Sequence, residues 1–320
     1  MKKFYIDVKG GLGMNISLAR VIQAIQRKSS DFEFAICSPY YDIFGAANIA
    51  YYRPEEIRDF IFDAKEVGAE IIENRIYDLS DFIYKKINYK EAWLKLFGIK
   101  LDFITDDEYN RLDLIPSSVS TSNDKAYEEV LKSLPTEKFM LVQFCGGQSP
   151  LDMPADGDWS KKIYDYEHEP LKRHYPTGYA QWFIEAMKSK HPDVSIIQYA
   201  LPNEPYLEGC EHFVLPYLVY YMLSKNPNCV GAVTIDSSLA HLITGNTKVM
   251  TLWGHSLPKN FGYSCNKDVV QDCRRDEILY FTPLGPSGAK VKYIEPAKLV
   301  EMTEEYFFDN SASDKKEASL

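Results

Sequence analysis

One short polar segment has the residue types of an anion-binding turn. Residues 234–241 read Thr-Ile-Asp-Ser-Ser-Leu-Ala-His and stand between an apolar run typical of a buried strand and an amphipathic run typical of a helix. Asp236, Ser237 and Ser238 suit a helix cap, and the first backbone N–H groups after them favour an anion such as a diphosphate. His241, one turn further on, adds a donor for a phosphate or ribose oxygen. An ordinary helix cap with a histidine in the core has the same pattern, so both readings stay open.

A second turn follows the next predicted strand. The apolar run at residues 249–253 ends in Trp253 and Gly254, after which the chain turns. Consecutive βα units are neighbours in a sheet, and ligands bind outside the carboxyl ends of its strands. Trp253 and Gly254 are therefore expected on the nucleotide side of the crevice onto which Ser237 opens.

The elements that position these residues repeat one pattern. Residues 4–8 predict a strand, residues 10–13 a glycine turn, and the apolar positions after them an amphipathic helix. Residues 32–37 and 138–144 predict further strands, and the latter also runs into a glycine pair, at residues 146–147. Strands that alternate with helices in this way predict an α/β fold with parallel sheets.

The length of the chain and one polar interruption of its hydrophobic pattern predict two domains. The 320 residues, 45% of them hydrophobic, favour two α/β domains over one. The polar run at residues 117–124 is the predicted linker. We predict a first domain at residues 1–120, a second at residues 121–309, and a disordered tail at residues 310–320.

The second domain contains a predicted helix and a long predicted loop. Residues 179–190 have helical periodicity, which places Trp182, Phe183 and Met187 on the inner side. Residues 151–170 are polar, acidic and interrupted by prolines, so they predict a loop of a length that is usually functional.

Composition excludes several classes of protein. A formal charge of −10 disfavours broad attraction to nucleic acid or to an anionic membrane surface. No run of apolar residues is long enough for an integral membrane segment, and Asp7 interrupts the start of the chain before a secretory apolar region, so we expect a cytoplasmic protein. The six cysteines are dispersed and lack metal-ligand spacing, which argues against a disulfide framework or a zinc site.

The sequence resembles the heptosyltransferase-like glycosyltransferases of family 9. The segments that carry the resemblance are Asp236-Ser237-Ser238-x-x-His241, Leu252-Trp253-Gly254, Gly10-Gly11-Leu12-Gly13, Ala92-Trp93-Leu94-x-x-Phe97-Gly98-Ile99 and Lys172-Arg173-x-Tyr175-Pro176. The resemblance covers about three quarters of the chain and is most specific at residues 234–254. It implies the GT-B fold, in which two Rossmann-like, doubly wound lobes face each other across a cleft.

The resemblance also implies roles for particular residues. The residues implied for the donor diphosphate are Asp236, Ser237, Ser238, His241, Lys172 and Arg173, of which the last two supply positive charge. Fixed donors and a cation stabilise the charge that builds on a departing nucleoside diphosphate. The positions expected to bring backbone groups to the sugar or the acceptor are Gly11, Gly13, Asn15, Gly146, Gly147 and Gln148. The structural alternative for Lys172 and Arg173 is a solvated basic face.

One position departs from the family. Heptosyltransferases carry an acidic residue just after the first glycines as the acceptor-activating base, whereas this chain has Met14 and Asn15, which accept no proton near neutral pH. The candidate bases are Asp42, Asp152 and Asp156, because their loops are expected to border the cleft. Each of them also fits an ordinary surface carboxylate.

The sequence thus predicts a glycosyltransferase, whether hexosyl-, pentosyl- or heptosyltransferase, that uses a nucleoside-diphosphate sugar. By analogy with the family, we expect direct displacement with inversion, no metal and no other cofactor, and a cell-surface glycan such as lipopolysaccharide or capsule as acceptor. A phage-type DNA glycosyltransferase acting on hydroxymethylated bases and a non-catalytic nucleotide-sugar or glycan-binding protein are the alternatives. A nicotinamide dehydrogenase is disfavoured because the glycine turn lacks a third glycine, and no metalloprotease, serine-hydrolase or Walker motif is present.

Overall fold

The computed structural model of the protein describes residues 1–146, 174–200, 204–254, 256–273 and 291–309. They form two α/β lobes, each built on its own parallel sheet. The predicted tail at residues 310–320 lies outside this set. No helix among the described residues is long and apolar enough to cross a membrane.

The first lobe has a four-stranded parallel sheet in the order β3-β2-β1-β4. Its strands are β1 (Lys2–Asp7), β2 (Phe32–Cys37), β3 (Ala50–Tyr52) and β4 (Glu70–Glu73). Its helices are α1 (Leu12–Lys28), α2 (Tyr41–Ala46), α3 (Ile57–Glu66), α4 (Ser80–Ile83), α5 (Tyr89–Leu96), α6 (Asp106–Asn110) and α7 (Pro116–Val119), with 3-10 turns at Pro54–Glu56 and Ile76–Asp78, and α8 (Ser122–Ser133) follows them before the second sheet begins. Phe4, Ile6 and Ile36 are fully buried on one face of the two inner strands, where they belong to the same apolar cluster as residues of α1 and α5.

The second lobe has a six-stranded parallel sheet in the order β10-β9-β8-β5-β6-β7. Its strands are β5 (Lys138–Gln143), β6 (Val194–Gln198), β7 (Glu211–His212), β8 (Cys229–Ile235), β9 (Val249–Trp253) and β10 (Lys267–Val270), and β11 (Asp272–Cys273) pairs antiparallel with β12 (Val291–Lys292). Its helices are α9 (Thr177–Lys190), α10 (Tyr217–Lys225), α11 (Ser238–Ile243), α12 (Pro258–Phe261) and α13 (Pro296–Thr303), followed by a π-helical turn at Glu304–Phe308. The predicted α/β class with two Rossmann-like lobes is confirmed.

One predicted orientation is wrong. Phe183 and Met187 are buried in α9 as predicted, but 46% of the surface of Trp182 is exposed. Neighbouring residues of a helix point about 100° apart, so Trp182 turns away from the stripe that Phe183 and Met187 share.

The predicted linker is partly helical. α7 ends at Val119 and α8 begins at Ser122, so the polar run at residues 117–124 contributes to both helices. α8 packs on α10 of the second lobe, and the Asn226 side chain donates a 2.9 Å hydrogen bond to the Tyr127 hydroxyl. The predicted bounds of 1–120 and 121–309 fall between α7 and α8, and they stay a prediction.

The two lobes share an extensive packed interface. α1 of the first lobe packs on α11 of the second, and one apolar cluster runs through both lobes. Hydrogen bonds also cross between them, since the Tyr221 hydroxyl donates to the Leu112 carbonyl at 2.8 Å and accepts from the Leu114 N–H at 3.0 Å. Groups at the carboxyl ends of β1 and β8 are therefore held close together.

Candidate functional site

The segment after β8 lies at the centre of the second sheet. β8 is buried along most of its length, as expected of an apolar strand between β9 and β5, and it delivers Asp236 and Ser237 to the carboxyl edge. Ser237 precedes the first residue of α11, but its hydroxyl donates to Oε1 of Gln143 and makes no capping bond to the helix. The first turn of α11 therefore has no side-chain cap from Ser237.

Protein groups surround the His241 ring. Only 4% of the residue is exposed, Nδ1 is 2.8 Å from the Tyr263 hydroxyl, and Nε2 is 3.6 Å from Oδ1 of Asp236. Asp236 is also buried and accepts a hydrogen bond from the Ser256 hydroxyl. These contacts orient the imidazole as expected of a core histidine, and a direct contact with phosphate stays a prediction.

Two glycines bring the sequence motifs together. A Cβ on Gly13 would lie 2.7 Å from Cδ2 of His241. Only glycine at position 13 therefore allows the start of α1 to approach α11 this closely. A Cβ on Gly146, which follows β5, would lie 3.1 Å from Cβ of Ser237. The first glycine turn, the end of β5 and the segment after β8 therefore meet at one place.

Asn15 maintains the shape of the first glycine turn. The side chain is fully buried, and its amide nitrogen donates to the carbonyls of Gly10 and Gly11 at 3.0 Å each. Its amide oxygen accepts a 2.6 Å bond from the Ser38 hydroxyl, at the end of β2. Gly11 precedes α1 and has open space where a side chain would stand. Asn15 supports the turn from inside, and Gly11 presents its backbone to the exterior.

Asp42 meets the second lobe. It lies in the first turn of α2, is half-buried, and accepts a hydrogen bond from the hydroxyl of Tyr217 at the start of α10. Burial raises the pKa of Asp42 above 3.8, and the bond from Tyr217 acts in the opposite direction. A carboxylate with a raised pKa is suited to accept a proton.

Two tyrosine side chains lie between Asp42 and the start of α11. Burial is the main cause that raises the pKa of Tyr217, and the Asp42 carboxylate and the nearby Tyr199 raise it further. Burial raises the pKa of Tyr199, which follows β6, and the nearby Ser238 side chain acts in the opposite direction. Tyr217 therefore bonds to Asp42 and lies near Tyr199, which in turn lies near the first residue of α11.

Trp253, the last residue of β9, is buried next to the turn that follows the strand. Its ring is 2% exposed, and Nε1 donates a 2.7 Å bond to Oδ1 of Asp268. Gly254 has open space at the position of a side chain. Of the two predicted nucleotide-side residues, Gly254 is therefore the one that borders accessible space.

Several of the predicted site residues fall outside the part of the chain that the structure describes. Gly147, Gln148, Asp152, Asp156, Lys172 and Arg173 lie outside the described residues. The residues that sequence reasoning missed are Arg20, Gln143, Tyr199, Tyr217 and Tyr263. Gln143 and Tyr199 stand at the carboxyl ends of strands, and this position was the available signal for them. In the part of the chain that the structure describes, no group of three His, Cys, Asp or Glu side chains has metal-binding geometry.

No protein-family model and no curated protein matches this chain.

Structural comparison, in contrast, finds similar chains. The glycosyl transferase of family 9 from Veillonella parvula DSM 2008 is 10% identical, with a TM-score of 0.63 over 96% of this chain and 97% of that one. The ADP-heptose lipopolysaccharide heptosyltransferase II of E. coli is 13% identical, with a TM-score of 0.55 over 96% of this chain and 98% of that one. At such low identity, structural similarity establishes the fold alone. The predicted resemblance to heptosyltransferase-like glycosyltransferases is confirmed for the fold: this chain has the GT-B fold.

Proposed function

We propose that this protein is a glycosyltransferase that moves a sugar from a nucleoside-diphosphate sugar to an acceptor hydroxyl. The observation that carries the proposal is the meeting of both lobes in one place, where Asp42 faces Tyr217 and the start of α1 abuts α11. Ligands of parallel α/β sheets bind at such carboxyl edges. Likeness to family 9 structures over nearly the whole chain supports the same reading.

Asp42 is our choice for the catalytic base. The acceptor oxygen attacks the anomeric carbon and passes its proton to the Asp42 carboxylate. The bond from the anomeric carbon to the diphosphate oxygen breaks, and its electron pair stays on the diphosphate. Backbone N–H groups at the start of α11, with Lys172 or Arg173, stabilise that charge. The outcome is inversion at the anomeric carbon, without a metal.

The choice of donor starts from the structural neighbours. The E. coli heptosyltransferase II is named for ADP-heptose. ADP-sugars are therefore the first donors to test, followed by GDP-, UDP- and CDP-sugars. A lipopolysaccharide or capsule glycan is the acceptor class we propose. The comparisons do not support a DNA acceptor, and hydroxymethylated DNA serves as a further arm of the test.

The experiment is an incubation of the protein with these donors and acceptors, with product detected by mass spectrometry. We expect transfer, unaffected by EDTA, and a loss of about 10²- to 10⁴-fold in Asp42→Asn. Asp63→Asn is the matched control, because Asp63 also accepts a hydrogen bond from a tyrosine, Tyr52, at 2.6 Å within the first lobe. Tight donor binding without turnover would instead indicate a non-catalytic binding protein.

A further inference from the structure

Arg20 is a buried charge that no acidic side chain neutralises among the described residues. It lies in α1 of the first lobe and is fully buried. Within the described ranges its guanidinium donates only to backbone carbonyls: Nε to His241 at 3.1 Å, Nη2 to His241 at 2.7 Å and Thr244 at 2.8 Å, and Nη1 to Tyr109 at 3.3 Å and to Asn110. These bonds use the full donor fork of an arginine.

The four carbonyls belong to the ends of two helices. His241 and Thr244 are at the end of α11 in the second lobe, and Tyr109 and Asn110 are at the end of α6 in the first. Carbonyls in the last turn of a helix lack partners within it and carry partial negative charge. One arginine therefore satisfies the ends of two helices from different lobes, and their dipoles compensate its charge.

A glycine lies where the ends of α6 and α11 meet, and any other residue there would be strained. Gly245 follows α11 with φ of +85°, and a Cβ there would lie 2.3 Å from the Asn110 carbonyl oxygen. The guanidinium also lies 5.0 Å from the centre of the Tyr263 ring, whose hydroxyl contacts His241. Arg20 thus contacts the carboxyl end of α11, opposite the end that begins after Ser237.

We propose that Arg20 is a positioning residue of the first lobe that fixes α11, and with it Asp236 to Ser238, against the glycine turn of α1. The inference rests on the proposed function of that segment. α11 has only six residues and is about 9 Å long, so an anchor at its end also sets the position of its start. The donor side of the cleft then depends on both lobes, because an arginine of one lobe holds the helix of the other.

The test compares two lysine substitutions in α1. Arg20→Lys keeps the charge but loses the planar fork. Arg27→Lys is the matched control, because Arg27 lies two turns further along α1 and, among the described residues, bonds to first-lobe groups: the Glu108 carbonyl at 2.9 Å, the Arg111 carbonyl at 3.4 Å and the Asp113 carboxylate at 3.5 Å. We expect Arg20→Lys to weaken binding of the matching nucleoside diphosphate among ADP, GDP, UDP and CDP by about tenfold to hundredfold, measured by calorimetry well below the melting temperature. Arg27→Lys should bind as the wild type does.

Kinetics and amide hydrogen exchange separate positioning from a loss of general stability. In Arg20→Lys we expect a raised KM for the donor with the acceptor KM unchanged, and faster exchange at residues 238–244 than in Arg27→Lys. Arg20→Gln, which keeps two donors without a buried charge, is the second variant should the lysine variant not fold. Wild-type affinity and unchanged exchange at residues 238–244 in a folded Arg20 variant would overturn the proposal. A wild type that binds no nucleoside diphosphate would instead reject the proposed function, and hydrogen exchange would still test the role of Arg20.

Discussion

The hydroxyl of Tyr217 donates a hydrogen bond to the carboxylate of Asp42, although the two residues are 175 positions apart and belong to different lobes. The placement of the proposed base therefore requires both lobes. Burial raises the Asp42 pKa and the Tyr217 bond partly offsets this effect. A general base works best with a pKa that approaches the operating pH, so the balance between the two effects matters for catalysis.

Tyr217→Phe should move the acid limb of the pH profile of kcat/KM to higher pH. Loss of the donor removes the side-chain hydrogen bond that lowers the Asp42 pKa, while burial continues to raise it. The carboxylate then becomes protonated at a higher pH, and activity is lost earlier as the pH falls. The measurement is transfer rate between pH 4 and pH 9 with the best donor from the panel.

Tyr52→Phe is the control for this substitution. The Tyr52 hydroxyl donates to Asp63 at 2.6 Å, so the change removes a similar bond outside the proposed cleft. Its pH profile should coincide with that of the wild type. Identical profiles for Tyr217→Phe and Tyr52→Phe would remove Asp42 from the role of base.

Asp42→Asn should raise the free energy of unfolding at pH 8, even though it removes activity. The pKa of Asp42 is higher in the folded protein than in the unfolded chain. At a pH above the folded pKa, the charged carboxylate therefore lowers the free energy of unfolding. As the pH falls through the folded pKa toward 3.8, the folded wild type takes up the proton and the difference closes. Urea denaturation at pH 8 and near pH 4 measures both values. A variant less stable than the wild type at pH 8 would contradict the assignment.

Gly13→Ala should destabilise the protein by about 1–3 kcal/mol, since the new methyl group would lie 2.7 Å from the buried His241 ring. Gly178→Ala is a close control, because Gly178 is also the second residue of its helix, α9, and has no atom within 4 Å of an added Cβ. That change should be neutral or slightly stabilising, as alanine favours helix. Thermal unfolding of both variants checks the pair, and equal melting temperatures would mean that α1 and α11 are not in close contact.

The secondary structure was largely readable from the sequence, because buried parallel strands are apolar runs bounded by turns. Residues 32–37 coincide with β2, and the strand before Asp236 is β8, which ends at Ile235 as expected. The polar segment after β8 could also be placed at the start of a helix, since its residue types are typical of caps, although the Ser237 hydroxyl bonds to Gln143 and not to α11. Trp182 could not be oriented correctly, because a large apolar side chain signals a core position even where the helix turns it outward.

The contacts between the lobes had no comparable signal. Arg20 is a charged residue in an amphipathic helix, and such residues are almost always exposed, so nothing in the local pattern indicates that it is buried. Its partner His241 is 221 positions away. Tyr217 likewise begins a helix with no unusual composition. Such pairings depend on how two lobes pack, which periodicity within one helix or strand does not report.

Gly245→Ala should cost more stability than Gly68→Ala, although both residues have left-handed backbone conformations, with φ of +85° and +63°. Each alanine pays about 1–2 kcal/mol of backbone strain. At Gly68 no atom stands within 4 Å of the added Cβ, whereas at Gly245 the Asn110 carbonyl oxygen is 2.3 Å away and the ends of α6 and α11 would have to separate. The difference between the two free energies of unfolding, measured by urea denaturation, therefore isolates the junction that Arg20 holds. Equal losses would show that the two helix ends have room to move apart, and that Arg20 does not hold them rigidly.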